Sequence, residues 1–103
     1  MSWHQAASID QLEASGALEI LVEQRVIALF LIDNTIHAVD GMCAHQGGPI
    51  ASGKVAGNCV TCPWHGWQYD VRNGTNLLTG KQMLETFATR VEDGQIWVEL
   101  PSS

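Results

Sequence analysis

Two short boxes constrain this chain more than anything else in it. They are Cys43-Ala44-His45 and, after sixteen intervening residues, Cys62-Pro63-Trp64-His65. Each offers one thiolate and one imidazole, so two loops held side by side supply four ligands, enough for one metal centre. Pro63 and the glycines around both boxes (Gly47, Gly48, Gly66) favour tight loops, since loops need fixed or positive φ values. Two centres suit such a set: a Cys2His2 zinc site, or a two-iron cluster with thiolates on one iron and imidazoles on the other. Zinc sites of this composition keep both Cys in one knuckle and both His on one helix. Here each box mixes them, which favours the iron–sulfur centre.

The third cysteine, Cys59, makes a false CxxC match with Cys62, and we read it as a small buried strand residue and not a ligand. With no secretory signal at Met1-Ser2-Trp3-His4, metal binding is expected over a disulfide framework, in a soluble cytoplasmic protein. The longest apolar run, Val26 to Ile32, is far too short to span a membrane. At 103 residues, 46% apolar and 16% charged, the chain forms one compact domain, 1–103. A net charge of −6 with five scattered basic residues excludes nucleic acid as a partner. The acidic balance suits electrostatic docking onto basic proteins.

Around the boxes the pattern is one of short strands. Ser8 reads as the N-cap of a single helix that ends by Gly16. Ala17 to Glu23 and Arg25 to Asp33 read as strands. In the second, Val26, Ala28, Phe30 and Ile32 face one side and Ile27, Leu29 and Leu31 the other, as in a central strand covered on both faces. Ile36 to Asp40 follows the turn Asp33-Asn34-Thr35. Asn58 to Thr61 and Trp67 to Val71 are further strands, the latter closed by Asn73-Gly74. Leu84 to Glu92 and Gln95 to Leu100 form a terminal pair about Asp93-Gly94. The expected fold is all-β, an antiparallel β-sandwich of short strands, with a small metal-binding subdomain inserted at about 41–72. His4 and His37 lie outside the boxes and are not needed. No catalytic Ser-His-Asp set, acid pair or phosphate loop appears.

The stretches Cys43-Ala44-His45-Gln46-Gly47-Gly48-Pro49 and Cys62-Pro63-Trp64-His65-Gly66-Trp67-Gln68-Tyr69-Asp70 resemble the two boxes of Rieske-type [2Fe–2S] ferredoxins, the ferredoxin components of ring-hydroxylating dioxygenase systems. The resemblance implies a Rieske fold with one [2Fe–2S] cluster per chain. Cys43 and Cys62 would hold one iron, and His45 and His65 the other. It also implies that Gly48 and Trp64 stand where respiratory relatives place a loop-linking disulfide, so this chain is of the disulfide-free kind. Trp67 and Tyr69 stand where a Ser and a Tyr hydrogen-bond cluster sulfur in high-potential relatives. One hydroxyl is missing, which implies a potential near the low end of the range, about −150 mV, with Tyr69 lifting it. Asn76 to Met83, where many relatives carry a proline-containing covering loop, has no Pro.

By the same resemblance the chain is an electron-transfer component and not itself an enzyme. It is too short to hold the catalytic iron domain of an oxygenase. Its implied partners are a flavin-dependent NAD(P)H reductase and a terminal oxygenase, met as a monomer. The alternatives are a small Rieske subunit of a nitrite-reductase-like complex, or a redox sensor without a turnover partner. Trp64 and Trp67 are expected to shield the cluster from water.

Overall fold

A computed structural model describes residues 2–43, 48–64 and 66–100. Three antiparallel sheets account for nearly all of it. The first holds β1 (Ser2–Ser8), β11 (Gln95–Leu100) and β10 (Thr89–Glu92) in the order β1-β11-β10. The second holds β2 (Ala17–Val22), β3 (Arg25–Ile32), β4 (Thr35–Asp40) and the two-residue β9 (Thr86–Phe87) in the order β2-β3-β4-β9. The third holds β5 (Lys54–Ala56), β6 (Cys59–Thr61), β7 (Gln68–Asp70) and β8 (Thr75–Asn76) in sequence order. Among the described residues no helix is long and apolar enough to cross a membrane.

The one α-helix among the described residues, α1 (Ile9–Ser15), starts where its capping chemistry dictates. Ser8 Oγ accepts from the Gln11 backbone N–H, and Gln11 Oε1 accepts from the Ser8 N–H. Gly16 ends it in the left-handed conformation, with φ 77°. Asp33 and Asn34 both take positive φ in the β3–β4 turn, the geometry a two-residue hairpin needs.

The two apolar faces of β3 serve two different cores. Ile27 and Leu29 point into the sandwich with Leu12, Phe87, Ile96 and Val98. Ala28 and Phe30 point the other way, into a core shared with Cys43, Ile50, Val60, Cys62, Tyr69 and Leu84. Burying each large side chain contributes about 1.5–3 kcal/mol, so one strand braces the scaffold and the candidate site together.

The expected strand from Leu84 to Glu92 is not continuous. It breaks at Ala88 into β9 and β10, which belong to different sheets. The Ala88 carbonyl accepts from Glu99 N–H as the chain switches sheets. β1 was not anticipated, because Ser2 to Ser8 has no sustained apolar alternation. Its pairing along the whole of β11 is tertiary in origin.

The chain leaves the second sheet at Asp40 and returns at Glu85, and those two residues are locked together. Asp40 N–H donates to the Glu85 carbonyl at 2.9 Å, and Asp40 Oδ2 accepts from Glu85 N–H at 2.7 Å. Arg25 bridges both carboxylates and stacks over Phe87. Residues 41–84 therefore emerge from one point of the scaffold. Within them Asp70 is buried and forked onto Arg72, through Nε and Nη2. The Arg72 guanidinium holds the Asp70 carboxyl below its ordinary value. A depressed carboxyl stabilises the fold above its unfolded pKa, and that contribution fades as pH falls through the folded value. Asp70→Asn is accordingly expected to flatten the acid limb of a stability–pH curve below about pH 4. An unchanged acid limb would count against the pairing.

Candidate metal centre

Both boxes are closed by the same bond. Cys43 N–H donates to the Gly48 carbonyl and Cys62 N–H to the Trp67 carbonyl, each across five residues and each at 2.7 Å. The second loop is tightened by Gly66 N–H donating to the Cys62 carbonyl, with Gly66 at φ 75°. The two loops thus present their cysteines in equivalent settings. Both are buried, Cys43 at 5% and Cys62 at 2% exposure. His45 and His65 lie outside the described residues.

The two sulfurs face one another closely enough to influence each other's ionisation. Burial pushes the Cys62 thiol up, the Trp64 backbone N–H pulls it back, and the Cys43 sulfur adds to the rise. Tyr69, fully buried, places its hydroxyl 3.2 Å from Cys43 Sγ. The resemblance led us to expect this hydroxyl at a cluster sulfur, and its sulfur neighbour in the structure is that of Cys43. As an O–H donor it stabilises a thiolate most when the centre carries its extra electron. Tyr69→Phe should therefore lower the reduction potential. A differential of about 1 kcal/mol corresponds to about 40 mV for one electron. Redox titration of the two proteins side by side measures it, and an equal or higher potential in the variant would contradict the role.

Gly48 and Trp64 occupy each other's space. A Cβ at position 48 would lie 2.8 Å from Cys62 Sγ and 3.0 Å from Trp64 Cγ. The loops are therefore joined by an indole ring laid against a backbone that has no side chain. Trp64 is half exposed, so it covers this site from outside. Trp67 is partly buried and packs on the inner core. Cys59 lies half-buried on β6 opposite Asp70, three residues and about 10 Å of strand from Cys62. It lies at the far end of β6 from Cys62.

Asn76 is the residue that sequence reasoning missed. It is buried, and its Oδ1 accepts from the Leu78 and Thr79 N–H groups while its carbonyl accepts from Gly80 N–H. Leu77 N–H donates to the Gln68 carbonyl. This side-chain staple shapes the loop at 76–80 without proline. The available signal was an Asn four residues before a Gly, an Asx-turn pattern.

The donor set fits an iron–sulfur centre. Two buried thiols from separate loops converge, backbone N–H and hydroxyl donors point at their sulfurs, and a glycine keeps the space beside them open.

Comparison with known proteins agrees. The Rieske [2Fe-2S] domain profile matches residues 2–88. The ferredoxin component of the naphthalene 1,2-dioxygenase system of Pseudomonas putida is 25% identical, with 97% of each chain covered. Methylxanthine N1-demethylase of Pseudomonas putida is 30% identical over 98% of this chain, which spans only 32% of that protein's length. The ferredoxin of Sphingomonas yanoikuyae B1 superposes with a TM-score of 0.86 at 20% identity, covering 97% of this chain and all of that one. This chain, with two converging cysteines, a hydroxyl on one sulfur and a three-sheet all-β scaffold, belongs to the Rieske [2Fe–2S] domain family and carries one [2Fe–2S] cluster.

Proposed function

We propose that this protein is a one-electron carrier that takes electrons from a flavin-dependent NAD(P)H reductase and delivers them to a terminal oxygenase. The observation that carries the reading is the convergence of buried Cys43 and Cys62 in a chain that ferredoxin components match from end to end. In this reading Cys43 and Cys62 hold one iron, and His45 and His65 hold the other. The cluster, when bound, supplies a one-electron couple. The chain's own residues set its surroundings. Tyr69 donates to the Cys43 sulfur, the Trp64 N–H supports the Cys62 sulfur, and the Trp64 ring limits water access. The carrier works as a cytoplasmic monomer.

The test is a reconstituted chain: NAD(P)H, a dioxygenase-system reductase, this protein, and cytochrome c as a final acceptor. Electron flow is expected to rise in proportion to the protein added and to vanish with Cys62→Ala. A cluster-loaded protein that leaves the flow unchanged would contradict the carrier role.

A further inference from the structure

The charge of this protein is not spread evenly. Residues 41–83 contain Lys54, Arg72 and Lys81 against the single carboxylate Asp70, a net of +2. The other ten carboxylates sit with only two arginines in the remaining segments, a net of −8. Asp70 and Arg72 are paired with each other. Among the described residues no carboxylate forms an ion pair with Lys54 or Lys81, and both lysines are exposed.

Sheet register places Lys54 and Asp70, while Lys81 follows Leu77 and Leu78 in the loop that its carbonyl closes by accepting from Asn76 N–H. Lys54 is opposite Thr61, Thr61 is opposite Gln68, and Leu77 N–H donates to the Gln68 carbonyl. Thr61 and Gln68 bracket the second box, so this row is the edge of the sheet beside the metal centre. Asp70 lies in the opposite row, with Ala56, Cys59 and Thr75. Beside the centre stand three exposed apolar side chains: Leu78 at 86%, Trp64 at 50% and Leu77 at 47%. Leu77 and Leu78 also wall a groove of about 470 Å³ with Gly66, Trp67 and Gln68. Leucines held out by the buried Asn76 staple, with Trp64 exposed on the second box, leave apolar surface at this end of the sheet, the usual mark of a protein contact.

We propose that Trp64, Leu77 and Leu78, flanked by Lys54 and Lys81, form the docking surface for the redox partner, and that the partner's matching face is apolar and rimmed by carboxylates. This rests on the carrier reading and gives its partner a chemistry opposite to the one that the net charge of −6 implies. The magnitudes favour the local charges. The molecule extends 38 Å along its longest axis. The Debye length is about 8 Å at physiological ionic strength, so distant carboxylates are largely screened at this edge.

The experiment uses two proteins of opposed surface. Plastocyanin presents an apolar face beside a carboxylate patch, and cytochrome c presents a lysine-ringed haem edge. Calorimetric titrations are run at about 0.15 M ionic strength with both proteins reduced, so that no electron passes. Plastocyanin is expected to bind at least about tenfold more tightly than cytochrome c. Leu78→Ser should weaken plastocyanin binding about tenfold, the loss of one buried leucine contact. Lys54→Glu combined with Lys81→Glu should reverse the preference. All three residues are exposed, so the fold survives these changes. Tighter binding of cytochrome c, or titrations indifferent to the substitutions, would overturn the surface assignment. So would self-association that Leu78→Ser abolishes, since the patch would then serve a second copy. Stopped-flow oxidation of the reduced protein by the oxidised acceptors separates the two readings. If neither acceptor takes an electron, the carrier reading fails. If both do and the binding pattern is wrong, only the surface assignment fails.

Discussion

Gly48→Ala is expected to remove the cluster and leave the sandwich standing. The new methyl group would sit 2.8 Å from Cys62 Sγ, closer than real Cβ atoms come, and a tight 3.0 Å from Trp64 Cγ. Trp64 could swing outward, because half of it already faces solvent. Cys62 cannot, because its N–H is tied to the Trp67 carbonyl and its side chain is buried in the inner core. The loops must then separate. Overpacking of this kind costs about 1–3 kcal/mol, and 1.4 kcal/mol is about a tenfold change in an equilibrium. Ligand convergence absorbs that cost, since the nearest neighbours of a Cβ at position 48 belong to Cys62 and Trp64 in the second box. The checks are visible absorption and sulfide content per chain against far-ultraviolet circular dichroism. Full cluster occupancy in the variant would mean that the Gly48–Trp64 contact does not set the spacing of the loops.

Gly74→Ala should have the largest effect on stability. Gly74 has φ 76°, and a Cβ there would fall 2.0 Å from the Leu84 carbonyl oxygen. The neighbour is backbone and cannot yield easily. Gly74 also receives three bonds' worth of geometry: its N–H donates to the Asp70 carbonyl, and its carbonyl accepts from the Met83 and Leu84 N–H groups. Left-handed backbone for a non-glycine residue and the forced shift together cost about 3 kcal/mol. That is about 15 °C in melting temperature for a domain of this size. Gly57→Ala is the internal control. Its φ of 61° carries the same conformational penalty, but nothing lies within 4 Å of its Cβ, so only about 1 kcal/mol is expected. Equal losses at the two positions would show that conformation alone, and not the contact with Leu84, matters at Gly74.

What the sequence disclosed follows from how local each signal is. The boxes stand out by residue type, and Tyr69 lies on the same strand run as the second box, so a task for its hydroxyl at the centre was legible, but its neighbour Cys43 was not. The doubly apolar β3 and the Ser8 capping box are equally local. The break at Ala88 was not legible, because Leu84 to Glu92 reads as one extended run until two sheets compete for it. Asn76 was missed for a related reason. Its side chain does its work only because residues 77–80 fold back over it. The charge partition was present in the residue list, but the net value concealed it. Only the register that sets Lys54 in one row with Thr61, Gln68 and Leu77 shows which charges border the centre. The Gly48–Trp64 contact joins two loops that are distant in sequence, and no local pattern marks it.

The central claim is that one two-iron cluster is held by two thiolates and two imidazoles from the boxes at 43–45 and 62–65. Electron paramagnetic resonance of the dithionite-reduced protein tests it most directly. The account predicts the lowered average g value of a cluster with histidine on its reducible iron, with couplings to two ligand nitrogens, one of which disappears in His45→Cys and the other in His65→Cys. A spectrum typical of four-thiolate ligation, or a protein that binds zinc and shows no signal, would contradict it.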